Sequence, residues 1–224
     1  MQTARTIAGS EILLGNPENP EMIKGKMIAA HISWLRERIS PASPQSAALE
    51  PFWKALPDAT RERLQNGVDP SAWYPFADLV SVDRAAITVA GDGPAVLAAL
   101  GRYSAEKNVP MYAIEGDAHR FLSLHAVLHS SYQNFGKAAY RPVESGGRFE
   151  ITGYTAYSPI FCGSSPAFFH RVLERFGYTD VEVREVECHC RGNNRCLFEM
   201  RWKGTPSVRA EGESSGQAQS TRSA

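Results

Sequence analysis

The sequence has no surplus of charge of either sign: 24 lysines and arginines stand against 24 aspartates and glutamates in 224 residues. A nucleic acid held by bulk electrostatics calls for a basic surplus or stripe, so no nucleic-acid partner is expected. Nor is there an uninterrupted apolar run near the roughly 18–20 residues that a membrane span needs. The first twenty residues lack a continuous apolar stretch and carry Glu11 and Glu18, so they do not read as a secretory signal. A cytoplasmic location is the resulting expectation. A phosphate-binding GxxxxGKS or GxxxxGKT motif is missing, as is a CxxCH haem-attachment motif. Cysteine is scarce, with four in the chain, and none precedes position 162.

Those four cysteines make one constellation. Cys162, Cys188, Cys190 and Cys196 all fall between Cys162 and Trp202. In a reducing compartment, clustered cysteines more often bind metal or do redox chemistry than form structural disulfides. Cys188 and Cys190 are two apart in a predicted strand and so share a face. A polar turn at Gly192–Asn194 predicts a hairpin that brings Cys196 back towards them. Cys162 precedes a helix predicted to open at Pro166, and joins the others if that helix packs on the strands. Tetrahedral zinc takes thiolate, imidazole or carboxylate ligands, with thiolates favoured in structural sites. The spacing is not that of a zinc finger or ribbon, and cysteines that merely pack in a core are the alternative.

The rest of the chain divides by pattern. Residues 1–21 read as a flexible lead-in with a short strand at Glu11–Leu14, and 22–139 as a mainly helical part. A helix is predicted over Met22–Ile39 from the spacing of Ile23, Met27, Ile28, His31, Trp34 and Leu35. Others follow from Asp58, Phe76 and Pro94, and a long amphipathic helix over His119–Ala138. Residues 140–204 read as a sheet with one helix, beginning with an alternating strand at Arg148–Tyr154. This unit and 22–139 are compatible with one compact domain. The segment 205–224, poor in apolar residues, reads as a disordered tail. The fold class is therefore α+β, with helices packed on a C-terminal antiparallel sheet.

The run Arg184-Glu-Val-Glu-Cys188, followed by Gly192, Cys196 and Phe198, resembles the terminal signature of the 4-vinyl reductase domain. That domain belongs to a ligand-binding superfamily shared with haem–nitric-oxide-associated domains and TRAPP vesicle-transport subunits. The resemblance implies a structural zinc held by Cys162, Cys188 and Cys196, completed by a strand glutamate for which Glu150 is the candidate. Cys190 is the alternative fourth ligand, or a neighbouring redox-active thiol. It implies a ligand pocket near Tyr154, Tyr157, Phe161, Phe168 and Phe169 that takes a small apolar or aromatic ligand. It also implies a homodimer or a partner protein. Lys24-Gly25, Trp34-Leu-Arg36, Trp73-Tyr-Pro75 and Leu100-Gly-Arg102 further resemble an uncharacterised, largely myxobacterial family.

Other residues carry weaker signals. His125 and His129 are spaced to share a metal or haem, but with His125 on the apolar stripe a satisfied core histidine and a solvated His129 are expected. Zinc is thus the expected cofactor, and haem is not. Glu115, Asp117, Glu185 and Glu187 form no acid–base pair, and charged strand positions read as a solvated face. No catalytic motif emerges. The leading expectation is a non-enzymatic small-molecule sensor or adaptor. A protein-interaction module stands second, and a tetrapyrrole-reduction component or thiol redox switch third.

Overall fold

The helical spacing that begins at Met22 takes effect only from Gly25. In the computed structural model, which describes residues 5–7, 10–12, 20–39, 47–108 and 117–204, Arg5–Ile7 (β1) pairs antiparallel with Ser10–Ile12 (β2). Met22–Lys24 (β3) is a strand, and α1 runs Gly25–Ile39. A β-branched residue such as Ile23 suits a strand as well as a helix, and here tertiary pairing decides. The strand pairs antiparallel with Trp73–Pro75 (β4), and its Lys24 N–H donates to the Tyr132 carbonyl at 2.8 Å. Gly25 permits this junction, because a Cβ there would sit 2.1 Å from the Asp69 carbonyl oxygen.

After α1 come the short helices α2 (Glu50–Ala55) and α3 (Asp58–Leu64), then the long helices α4 (Phe76–Ala90) and α5 (Gly93–Asn108). Asp78 of α4 is fully buried, yet it accepts from the Thr60 hydroxyl at 2.7 Å and from Arg63 at 2.6 and 2.8 Å. That pairing offsets the cost of burying a carboxylate and ties α3 to α4.

Helix α6 is Ala118–Val127, capped by Asp117, whose carboxylate accepts from the His119 and Arg120 N–H groups. The predicted helix over His119–Ala138 is thus cut short. A 3₁₀ turn at Leu128–Ser131 ends it, and Asn134 is taken up by β3, accepting the Met22 N–H at 2.7 Å. The next residues form β5 (Lys137–Val143), a strand not read in the sequence, paired with β6 (Gly146–Thr152).

Helix α7 runs Pro159–Arg175, so Cys162 lies in its first turn and Pro166 inside it. Pro159 and not Pro166 opens the helix, from Ser158 as N-cap. Strands β7 (Thr179–Glu187) and β8 (Arg195–Lys203) complete an antiparallel sheet of order β5-β6-β8-β7. Strand β7 stops at Glu187, and Cys190 sits in a 3₁₀ turn at His189–Arg191. The shared-face reading of Cys188 and Cys190 therefore does not apply.

The α+β class is as expected. One buried cluster runs from Ile28, Phe76 and Leu100 among the helices to Phe149, Phe169 and Phe198 at the sheet. Helix α7 crosses α5 closely at Gly101, where a Cβ would lie 2.1 Å from the Ser164 carbonyl oxygen. No helix among the described residues is long and apolar enough to cross a membrane. The tail at 205–224 lies outside the described residues, as does most of the 1–21 lead-in.

Candidate functional site

Where α1, α5 and α6 face β6 and α7, side chains leave a space of about 130 Å³. Tyr154, Phe161, Phe168 and Phe169 line it, whereas Tyr157 does not. Instead Tyr157 stacks on His189 with ring centroids 3.5 Å apart, beside the cysteines. The pocket's other wall was not legible in the sequence. It holds Lys26, Met27 and His31 of α1 with Gly101 and Ser104 of α5. The only available signal was helical spacing, which groups Lys26, Met27 and His31 on one side of α1.

His125 of α6 points into this space among aromatic rings, with centroids 5.7 Å from Phe121, 5.6 Å from Phe149 and 5.4 Å from Phe168. Burial, then the neighbouring His129 and Lys26, pulls its pKa down to about 4, so the imidazole is neutral at neutral pH. Its Nδ1 is buried without a hydrogen-bond partner. The expected satisfied core histidine is therefore buried but unsatisfied. His129, expected to be solvated, is 8% exposed, and burial lowers its pKa too. Its Nε2 lies 3.4 Å from the Tyr154 hydroxyl, which donates to Gln133 Oε1 at 3.0 Å.

A second polar arrangement reaches the same space from the opposite wall. His31 Nδ1 lies 2.5 Å from Asp83 Oδ1, and His31 Nε2 lies 3.1 Å from Ser104 Oγ. Three helices supply the three residues, α1, α4 and α5. Asp83 is fully buried and His31 nearly so, while Ser104 is half-buried at the pocket wall.

The cysteine cluster lies under the pocket floor. Cys162 Sγ and Cys196 Sγ are 3.9 Å apart, and ligand atoms of Cys162, Glu185, Cys188 and Cys196 all lie within 4.8 Å of one another. Cys162 donates towards Cys188, so the Cys162 thiol is pushed far up and Cys188 is drawn down to about 4. The Cys162–Cys188 contact thus favours the thiolate form at Cys188, the form that binds metal. Glu185 is raised to about 7, first by burial and then by its hydrogen bond to Cys188. Its Oε1 is buried without a partner.

Glu150 does not join this group. It is opposite Leu197 on β8 while Ile151 is opposite Cys196, so its side chain leaves by the other face and meets Arg195 at 3.2 Å. A bulge in β7 explains why Glu185 takes the place expected of Glu150. Glu185 pairs with Phe198 but Glu187 pairs with Leu197, one residue out of step. Glu185 therefore follows the buried Phe198 inward, and Glu187 turns out to Arg195 at 2.7 Å. Cys190 is only half-buried, in the turn beside the cluster and outside the four-residue group.

No protein-family model matches the sequence, and no curated protein matches it either. Solved structures do match. An H-NOX protein from S. oneidensis in the Fe(II)NO ligation state has a TM-score of 0.58 at 12% identity, covering 81% of this chain and 100% of that one. A T. Tengcongensis H-NOX mutant gives a TM-score of 0.59 at 13% identity, covering 82% and 99%. A structure titled for heme distortion in the H-NOX family gives 0.59 at 13% identity, covering 82% and 96%. The expectation of zinc in place of haem is corrected by this finding, because the titles of these neighbours name haem in one case and Fe(II)NO in another, and none names zinc. The neighbours are H-NOX proteins, and at this identity the likeness is one of fold.

Proposed function

We propose that this chain is a small-molecule sensor domain whose ligand occupies the histidine-lined apolar pocket between α5, α6 and α7. The observation that carries the reading is the pocket, with His125 Nδ1 buried and unpartnered inside it. An apolar space with a few converging polar groups is the usual form of a ligand site. The fold's likeness to H-NOX domains supports the same reading, since their titles name haem, nitric oxide and oxygen.

The donor set fits haem. A neutral buried imidazole with a free nitrogen is a suitable iron ligand, and His125 would hold the metal. Haem would supply an iron able to bind a diatomic gas. The space also admits a smaller guest, since about 130 Å³ is close to the roughly 150 Å³ of an engineered cavity that holds benzene. The primary ligand class is therefore a small apolar or aromatic molecule. Haem is the second reading, favoured by His125.

One titration separates the two. A Soret band at about one haem per chain, lost in His125→Ala, would establish haem. A melting-temperature rise with small aromatics and no Soret band would establish the smaller guest. Neither response would overturn the sensor reading.

Cys162, Cys188 and Cys196 with Glu185 are assigned to holding a soft metal ion beneath the pocket, bracing the β7–β8 turn. The support is the convergence of three sulfurs and a carboxylate within 4.8 Å of one another and the orphaned Glu185 Oε1. The signal would leave through a second copy of the chain or a partner protein. Light scattering with and without ligand reads that step, and an unchanged mass in both states would exclude a second copy.

A further inference from the structure

The His31–Asp83–Ser104 arrangement does more than join three helices. A carboxylate only accepts, so Asp83 holds a proton on His31 Nδ1. Nε2 lies 3.1 Å from Ser104 Oγ, and in the tautomer with Nε2 bare it accepts the hydroxyl proton of Ser104. What Ser104 presents to the pocket is an oxygen with its lone pairs free. A nucleophile within hydrogen-bond reach of a base, with that base oriented by a third group, is the geometric signature of an activated serine on any fold.

Two further observations favour function over packing. Asp83 Oδ2 is fully buried and has no hydrogen-bond partner among the described residues, so half of its carboxylate is unsatisfied. Folds tolerate such a cost mainly at working sites. The serine also ends at the pocket wall rather than inside the helix bundle.

We propose that Ser104, activated by His31 and positioned by Asp83, is a nucleophile that takes the acyl group of small esters entering the pocket. Ser104 Oγ bonds to the ester carbonyl carbon as its proton passes to His31 Nε2. The carbon–oxygen bond to the alcohol breaks, and the leaving oxygen takes that proton. Water, deprotonated in turn by His31, then cleaves the acyl-serine, giving the acid and restoring Ser104. The sum is ester plus water to acid plus alcohol. Backbone N–H groups within α5 are committed to the helix, and Ser164 donates its hydroxyl to the Phe161 carbonyl at 3.0 Å. With no backbone donor for the carbonyl oxygen both steps are slow, and an activated ester, whose leaving group departs readily, acylates Ser104 faster than the acyl-serine hydrolyses. The proposal rests on the pocket admitting a small guest.

The test uses the full chain with p-nitrophenyl acetate. The expected result is a burst of about one nitrophenolate per chain, with the acetyl group mapped by mass spectrometry to Ser104. Ser104→Ala, nearly isosteric, abolishes the adduct. His31→Gln slows acylation about a hundredfold or more. Asp83→Asn slows acylation with KM unchanged, which loss of packing alone would not do. No adduct in the wild type, an adduct on another residue, or equal labelling of Ser104→Ala would overturn the proposal. If Ser104 is labelled but no aromatic guest raises the melting temperature, the serine stands and the aromatic-sensor reading falls.

Discussion

Glu185 and Glu187 lie two residues apart on one strand yet leave the sheet on opposite faces. Glu185 enters the sulfur cluster, and Glu187 pairs with Arg195 at 2.7 Å. The β7 bulge between them is the cause, since without it both would face the same side.

The bulge predicts which carboxylate a metal feels. Cobalt(II) titration of reduced protein should give thiolate-to-metal absorption that weakens at least about tenfold in affinity with Glu185→Gln. Glu150→Gln should leave the affinity unchanged, because Glu150 is held by Arg195 on the far face. Equal weakening by both would contradict the assignment.

The close crossing of α5 and α7 makes Gly101 intolerant of any side chain. Its Cβ would meet backbone at Ser164 rather than a side chain that can swing away. Gly101→Ala is expected to destabilise by about 1–3 kcal/mol, read from urea unfolding midpoints. A neutral or stabilising effect would show that the helices part easily.

Acid should weaken the fold through His125. Its folded pKa of about 4 lies below its unfolded value of 6.5, so the unfolded chain binds the proton first. The stabilising contribution is fully present above about pH 6.5 and is lost as pH falls towards 4, on the order of 3 kcal/mol in all. His129 adds in the same direction. The slope of stability against pH in this window should flatten in His125→Phe, measured by circular dichroism.

Phe169 packs α7 onto the sheet, touching Phe149 at 4.9 Å and Phe198 at 5.4 Å between ring centroids. Truncation to alanine should cost about 3–5 kcal/mol. A cost well under that range in denaturant melts would mean that the pocket collapses to refill the space.

Periodicity made the long helices and the terminal hairpin legible, along with the gathering of Cys162, Cys188 and Cys196, which chain order and a turn suffice to suggest. What stayed hidden depended on pairing between distant segments. Met22–Lys24 has helical spacing, but its strand state comes from Trp73–Pro75, about fifty residues on. Glu185 has the pattern of a solvated strand residue, and only the bulge turns it inward. His31, Asp83 and Ser104 are ordinary positions on three helices, and no local motif announces that their side chains meet. Glu150 matches the strand glutamate that the family resemblance implies, but register sends it to Arg195.

The most direct measurement is the melting temperature of the wild-type chain with small aromatic guests, beside Met27→Trp, which fills the pocket from its half-buried α1 wall. A guest at a hundredfold excess over its Kd contributes about 2.7 kcal/mol, or roughly 5–10 °C for a chain of this size. The predicted result is a rise of that order in the wild type and none in Met27→Trp. A rise that survives Met27→Trp would place the ligand elsewhere, and no rise with any aromatic guest or haem would contradict the pocket's role as a sensor.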